Sequence, residues 1–217
     1  MADVVIRDLF DPEDLVDQWV FSLSATAADL AAAESVFKDH LDGDGPSVRS
    51  QYYFRQLLAR IYESERVVAA ATEIDEVRDF VGTVDQAEAA LAALVADFLP
   101  IDSSRAREVL GYSRHRTVHH AFVGSEELAA DLEAAGDQPA RILVDHGNER
   151  LLHEFPEAVL SHALAPDIDT TEGKARFAER VRFAAKIVEN FGRLLTPVLA
   201  AHVATKNVDP GDLYVEI

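Results

Sequence analysis

Apolar side chains recur at steps of three and four residues through most of this chain, and the last such segment is the most regular. Its stripe comprises Phe177, Val181, Ala184, Val188, Phe191, Leu195, Val198 and His202. This spacing matches the 3.6-residue period of an α-helix and places all eight side chains on one face. It predicts a helix over residues 171–205, which Pro197 is expected to kink.

Four earlier segments show the same period. They are residues 16–41, 48–80, 84–98 and 103–122. Turn-forming residues follow each segment, so the connections are short. Two β-prone runs, 141–145 and 150–155, predict a small hairpin within about 139–156, before the last long helix. The sequence therefore predicts an all-α fold, an elongated helical bundle with one β-hairpin excursion, as a single domain over residues 1–217.

Composition excludes several kinds of chemistry. Cysteine is absent, which excludes disulfides, thiolate catalysis and cysteine-ligated metals. No glycine-rich phosphate loop is present, and we expect no cofactor. The N-terminal residues lack the apolar run of a signal peptide, and no stretch of about 18 apolar residues is free of charge. We therefore expect a cytoplasmic protein with no membrane-spanning helix.

The charge is distributed unevenly. The chain carries 39 acidic and 20 basic residues, for a net charge of −19. Two stretches are nevertheless basic. The first basic segment, residues 103–124, has four arginines and one glutamate, and the second basic segment, residues 174–193, has six cations and two glutamates. An acidic protein repels nucleic acid at long range unless its cations are concentrated on one face, so these segments are the candidates for such a face.

The first basic segment contains the His–Arg motif, residues 113–120, with the sequence Ser-Arg-His-Arg-Thr-Val-His-His. One interpretation is a basic helix end, since cations are favourable near the C-terminal pole of a helix. Another is a metal site, because His115 and His119 are spaced i, i+4. The flanking arginines would repel a cation, so we assign no metal ligands.

A third interpretation is nucleotide chemistry. Arginine supplies a permanent positive charge for a phosphate, and histidine transfers a proton near neutral pH. Arg114 and His119 lie about 140° apart around one helix, so they cannot easily meet within one chain. A second chain would bring an arginine and a histidine together.

The motif and its helical context resemble the HEPN superfamily, in which Arg-x(4–6)-His recurs in a bundle of long helices. Arg114 matches the family arginine, His115 takes the polar position after it, and His119 or His120 matches the family histidine. The closest likeness is to the abortive-infection type, whose Tyr-Phe-rich second helix corresponds to residues 52–58. The resemblance covers most of the chain from the second helix onward.

The resemblance implies a homodimer and a metal-independent endoribonuclease of a toxin–antitoxin or phage-defence system. Arg114, His119 and His120 would then be catalytic, and Tyr112, His115 and Arg116 would contact the substrate. RNA and a cognate antitoxin or nucleotidyltransferase-like protein are the expected partners. Two alternatives stay open, namely a noncatalytic HEPN-like protein-interaction module and a histidine-rich metal-binding helical protein.

Overall fold

The computed structural model describes residues 9–41, 48–110, 142–145, 150–153 and 170–206. Six α-helices lie in this part of the chain. They are α1 (Leu15–Asp39), α2 (Val48–Glu73), α3 (Asp75–Gly82), α4 (Ala87–Phe98), α5 (Arg105–Leu110) and α6 (Thr171–Thr205). A single 3₁₀ turn, Ile101–Ser103, joins α4 to α5. The described residues are thus predominantly helical, and the predicted all-α class is confirmed at that level.

The predicted first and last helices match α1 and α6 closely. Along α1, Val20, Leu23 and Leu30 are fully buried, as the apolar spacing predicts. The predicted stripe of α6 is buried or half-buried throughout, from Phe177 to His202. Both helices are held by one apolar face, which explains why their bounds could be read from the period.

The predicted continuous helix over 48–80 is wrong at Ile74. This residue has extended backbone angles, φ −94° and ψ 116°, and separates α2 from α3. Arg78 bridges the break, because its guanidinium donates to Asp75 Oδ1 at 2.6 Å and to the carbonyl of Thr72 at 3.5 Å. The acidic first turn of α3 also favours a new helix start, since carboxylates are stabilised at a helix N-terminus.

Helix α4 begins three residues later than predicted. Gln86 has a left-handed backbone, φ 72°, so the chain turns before Ala87. Val84 is buried as the spacing suggests, but it lies in that turn. Apolar spacing reports burial and does not by itself distinguish a buried turn residue from a helical one.

Two strands, β1 (Ile142–Asp145) and β2 (Arg150–His153), pair antiparallel in the region where the hairpin is predicted. Ile142 is opposite His153, and Asp145 is opposite Arg150. Residues 146–149 lie outside the described residues, so the full extent of the hairpin stays a prediction.

The chain divides into two compact units. Unit 1 comprises residues 1–32, 63–107 and 185–217, and its core includes the edge-to-face pair Phe98 and Phe191, whose centroids are 6.3 Å apart. Unit 2 comprises residues 33–62 and 108–184. Its core includes Phe54, which contacts Phe37 at 5.1 Å and Phe177 at 5.2 Å between centroids.

By length and composition alone, α1 is a candidate for crossing a membrane. One 18-residue window has a mean hydropathy of 1.2, and 28% of that window is buried in the structure. Core helices of soluble proteins pass the same test. Trp19 of α1 donates its indole N–H to the carbonyl of Val67 at 2.9 Å, a contact that ties this helix to α2 within unit 1.

Candidate functional site

The predicted site residues lie outside the described residues. They are Tyr112, Arg114, His115, Arg116, His119 and His120. Of the first basic segment, the structure describes residues 103–110, which end four positions before Arg114. They include α5, which part of α6 contacts in unit 2.

Helix α5 is fixed at its start by a cap and by burial. Ser104 Oγ accepts a hydrogen bond from the backbone N–H of Arg107 at 3.3 Å, so Ser104 is the N-cap, and Ser103 belongs to the preceding 3₁₀ turn. Ala106 and Leu110 are fully buried. These contacts fix α5 as far as Leu110, which precedes Arg114 by four positions.

The second basic segment contacts α5 directly. Arg180 of α6 donates its Nε–H to the carbonyl of Val109 at 3.2 Å, within unit 2. Val109 precedes Arg114 by five positions. Burial lowers the pKa of Arg180, and nearby Arg176 lowers it further, whereas Tyr62 acts in the opposite direction. A guanidinium stays charged despite such a shift, so Arg180 brings a positive charge to this helix end.

Three further cations of the second basic segment are exposed in unit 2. They are Lys174, Arg176 and Arg182. All three belong to the same short stretch of α6 as Arg180. Unit 2 therefore carries four positive side chains between residues 174 and 182 of α6, the helix from which Arg180 contacts Val109.

Other cations of the two basic segments are engaged in ion pairs in unit 1. Lys186 Nζ lies 2.9 Å from Asp97, whose side chain is 2% exposed. Arg107 lies 3.3 Å from the buried carboxylate of Glu65. Removing one partner of a buried pair leaves an uncompensated charge, so these contacts act in stability.

A second polar cluster, which the sequence did not reveal, lies in the core of unit 1. Asp17 Oδ1 is 2.7 Å from His202 Nε2, and Asp17 Oδ2 is 2.6 Å from Lys206 Nζ. The backbone N–H of Asp11 donates to Oδ2 at 2.6 Å. Phe10 stacks on the His202 ring with centroids 5.2 Å apart. This arrangement ties the segment before α1 to the end of α6.

The ionisable pair Asp17 and His202 is buried, so it is not accessible to a substrate. The side chains of His202 and Asp17 are 1% and 3% exposed, and His202 Nδ1 has no hydrogen-bond partner within the described ranges. A histidine held by a carboxylate resembles a catalytic dyad, but a substrate cannot reach this one. We therefore interpret the Asp17 cluster as a set of contacts that stabilises the fold. The place of His202 in the apolar stripe is consistent with its burial, and Asp17 is the partner that the spacing did not identify.

Burial alone raises the pKa of Asp17. The hydrogen bonds from Lys206, from the N–H of Asp11 and from His202 outweigh burial and hold the pKa below its ordinary value of 3.8. The carboxylate is therefore ionised at neutral pH. Its negative charge is what makes the three donors converge.

The described residues contain no group of three or more histidine, aspartate or glutamate side chains that could bind one metal ion. The alternative metal pair, His115 and His119, lies outside them.

No family model, curated protein or solved structure matches this chain. A function must therefore be argued from the chain's own residues and their contacts.

Proposed function

We propose that this protein is a HEPN-like, metal-independent endoribonuclease that acts as a homodimer in a toxin–antitoxin or phage-defence system. The observation that supports it best is the hydrogen bond from Arg180 to the carbonyl of Val109. It joins the second basic segment to the first at Val109, five positions before Arg114 in the chain. An acidic protein that binds RNA needs its cations concentrated in this way.

The proposed reaction is transesterification. His120 or His119 takes the proton of an RNA 2′-hydroxyl, and the oxygen attacks the adjacent phosphorus. The bond from phosphorus to the 5′-oxygen breaks, which yields a 2′,3′-cyclic phosphate and a 5′-hydroxyl once the leaving oxygen is protonated. Arg114 and Arg116 stabilise the charge that develops on the phosphoryl oxygens. Arginine and histidine supply both functions, so no metal is required.

Within this proposal, Tyr112 and His115 contact the substrate, and the exposed cations of α6 extend the phosphate-binding surface. Arg182 is the clearest test of that extension, because it is exposed and belongs to unit 2. Each phosphate contact that is lost should lower the salt dependence of binding by about one charge equivalent. Binding to a labelled single-stranded RNA at several salt concentrations measures this slope.

The experiment compares Arg182→Ala with Arg78→Ala. Arg78 is also an exposed arginine, but it lies on α3 in unit 1 and pairs with Asp75. We expect Arg182→Ala to weaken RNA binding and reduce the salt slope, and Arg78→Ala to leave both unchanged. Equal effects of the two substitutions would show that α6 carries no specific phosphate-binding surface.

Catalysis is tested with the full-length protein and labelled RNA. We expect cleavage to persist in EDTA and to fall by about 10²- to 10⁴-fold in His120→Ala and Arg114→Ala, with a milder loss in His119→Ala. Cleavage that chelation abolishes would favour a metal site at His115 and His119. Absence of cleavage of any RNA by an intact dimer would favour the noncatalytic interaction module.

A further inference from the structure

A pocket of about 220 Å³ lies between α1 and the last turns of α2 within unit 1. Its apolar wall is formed by Leu15 and Trp19 of α1 and by Val67, Ala70 and Ile74. An apolar cavity of about 150 Å³ is large enough to hold benzene. The pocket therefore has room for a small molecule of roughly eight non-hydrogen atoms.

The polar groups of the pocket leave one cation available. Gln18 donates its side-chain amide N–H to the carbonyl of Pro12 at 2.6 Å, and Ser22 donates its hydroxyl to the carbonyl of Gln18 at 2.8 Å. The indole N–H of Trp19 is also satisfied by a backbone carbonyl. Arg66, by contrast, is exposed at the pocket, and no hydrogen bond or ion pair engages its guanidinium in the part of the chain that the structure describes.

A free guanidinium beside an apolar wall favours one class of ligand. Its planar set of N–H donors matches the two oxygens of a carboxylate, and such charge-assisted hydrogen bonds are stronger than neutral ones. Arg66 is the only charged residue among the eight that line the pocket, so no lining carboxylate competes for it. The apolar wall stabilises a ligand that removes apolar surface from water, which an inorganic anion cannot do.

We propose that this pocket binds a small monocarboxylate with a branched or aromatic apolar body. The carboxylate pairs with Arg66, and the body packs against Trp19. This inference goes beyond the proposed ribonuclease function and does not rest on it, because the pocket lies in unit 1 and the His–Arg motif belongs to unit 2.

Trp19 is the only tryptophan of the chain, so its fluorescence reports on this pocket. The probe is isocaproate, which has a branched apolar body, one carboxylate and no absorption where tryptophan is excited. Its amide, isocaproamide, has nearly the same shape but carries no charge. The full-length protein is titrated with each compound at neutral pH and constant ionic strength, and the saturation of the fluorescence change gives the dissociation constant.

We expect isocaproate to change the Trp19 fluorescence saturably and to bind about tenfold or more tightly than its amide. Arg66→Gln should remove this preference. Arg193→Gln should retain it, since Arg193 is an exposed arginine of unit 1 that lies outside the pocket. No saturable change in the wild type, or equal affinities for isocaproate and its amide, would overturn the proposal. So would an Arg66→Gln variant that keeps the preference.

A second variant tests the apolar wall. Ala70→Leu places a larger side chain in the pocket and should weaken isocaproate binding by about tenfold or more. Ala92→Leu is the matched control, because Ala92 is exposed on α4 and does not line the pocket. Circular dichroism checks that each variant is folded, and Arg66→Gln, which changes an exposed side chain, decides the proposal if Ala70→Leu does not fold. Undiminished binding by a folded Ala70→Leu variant would place the ligand elsewhere and refute the proposal.

Failure of this inference is distinguishable from failure of the proposed function. A protein that cleaves no RNA but shows the Arg66-dependent preference for isocaproate would support the pocket alone. RNA cleavage that persists in a protein with no response to isocaproate would refute the pocket alone.

Discussion

Replacing Asp17 by asparagine should destabilise the protein substantially, because three donors converge on this carboxylate. Asparagine has almost the same shape but carries no charge. It also offers one acceptor oxygen and one donor nitrogen in place of two acceptor oxygens. The donors on Lys206, His202 and the Asp11 backbone cannot all be satisfied by it.

The magnitude follows from the kind and burial of the contacts. A hydrogen bond to a charged group contributes about 1.5 to 3 kcal/mol, and breaking a buried ion pair costs about 3 to 5 kcal/mol. Lys206 is 25% exposed and can turn its ammonium toward water, which reduces its share. We therefore expect Asp17→Asn to lower the free energy of unfolding by about 2 to 4 kcal/mol. That is a large part of the stability of a typical domain.

Urea unfolding at neutral pH measures this cost, and Asp14→Asn is the matched control. Asp14 also loses a charge, but it is exposed and accepts hydrogen bonds from the backbone N–H groups of Val16 and Asp17 at the start of α1. Asparagine caps a helix about as well as aspartate, so this control should change stability little. Equal losses in the free energy of unfolding for the two substitutions would refute a stabilising role for the buried Asp17 cluster.

The same carboxylate predicts a pH dependence. The pKa of Asp17 is lowered in the folded protein, so its contribution is fully present above the ordinary value of 3.8 and is lost as pH falls through the lowered value. Wild-type stability should fall in that acid range, and the fall should be shallower in Asp17→Asn. Parallel pH profiles for the two proteins would contradict this assignment.

Two further substitutions test how α5 and the core of unit 1 are held. Ser104→Ala removes the oxygen that accepts from the Arg107 N–H and should cost about 0.5 to 2 kcal/mol by urea unfolding, whereas Ser104→Asn, which retains a capping oxygen, should cost less. Phe191→Ala empties a fully buried site beside Phe98 and should cost about 3 to 5 kcal/mol, while the same change at the exposed Phe21 should cost much less. A smaller loss of stability for Ser104→Ala than for Ser104→Asn would contradict the capping role of Ser104. A smaller loss for Phe191→Ala than for Phe21→Ala would contradict the packing of Phe191.

Apolar periodicity predicted those helices that bury one continuous face. The bounds of α6 were readable because its stripe runs from Phe177 to His202 without interruption. The break at Ile74 was not readable, since Ile74 and Val77 keep the apolar period while the backbone leaves the helix. Arg78 stabilises that break through contacts with residues on either side, and such contacts leave no periodic signal.

The polar clusters were predictable only in part. The position of His202 in the apolar stripe indicated burial, but its partner Asp17 is 185 residues earlier in the chain. Nothing in the spacing of a single sequence pairs residues at such a separation. The charge pattern identified the two basic segments but not where they contact each other. The hydrogen bond from Arg180 to Val109 is one such contact.

The central claim, a composite ribonuclease site shared by two chains, is tested most directly by mixing two inactive variants. Arg114→Ala and His120→Ala are purified separately, unfolded and refolded together so that the chains exchange. If the site combines an arginine from one chain with a histidine from the other, each mixed dimer regains one intact site. Random pairing then predicts recovery of about a quarter of wild-type RNA cleavage in EDTA. No recovery above the separate variants, with mixed dimers present, would contradict the claim.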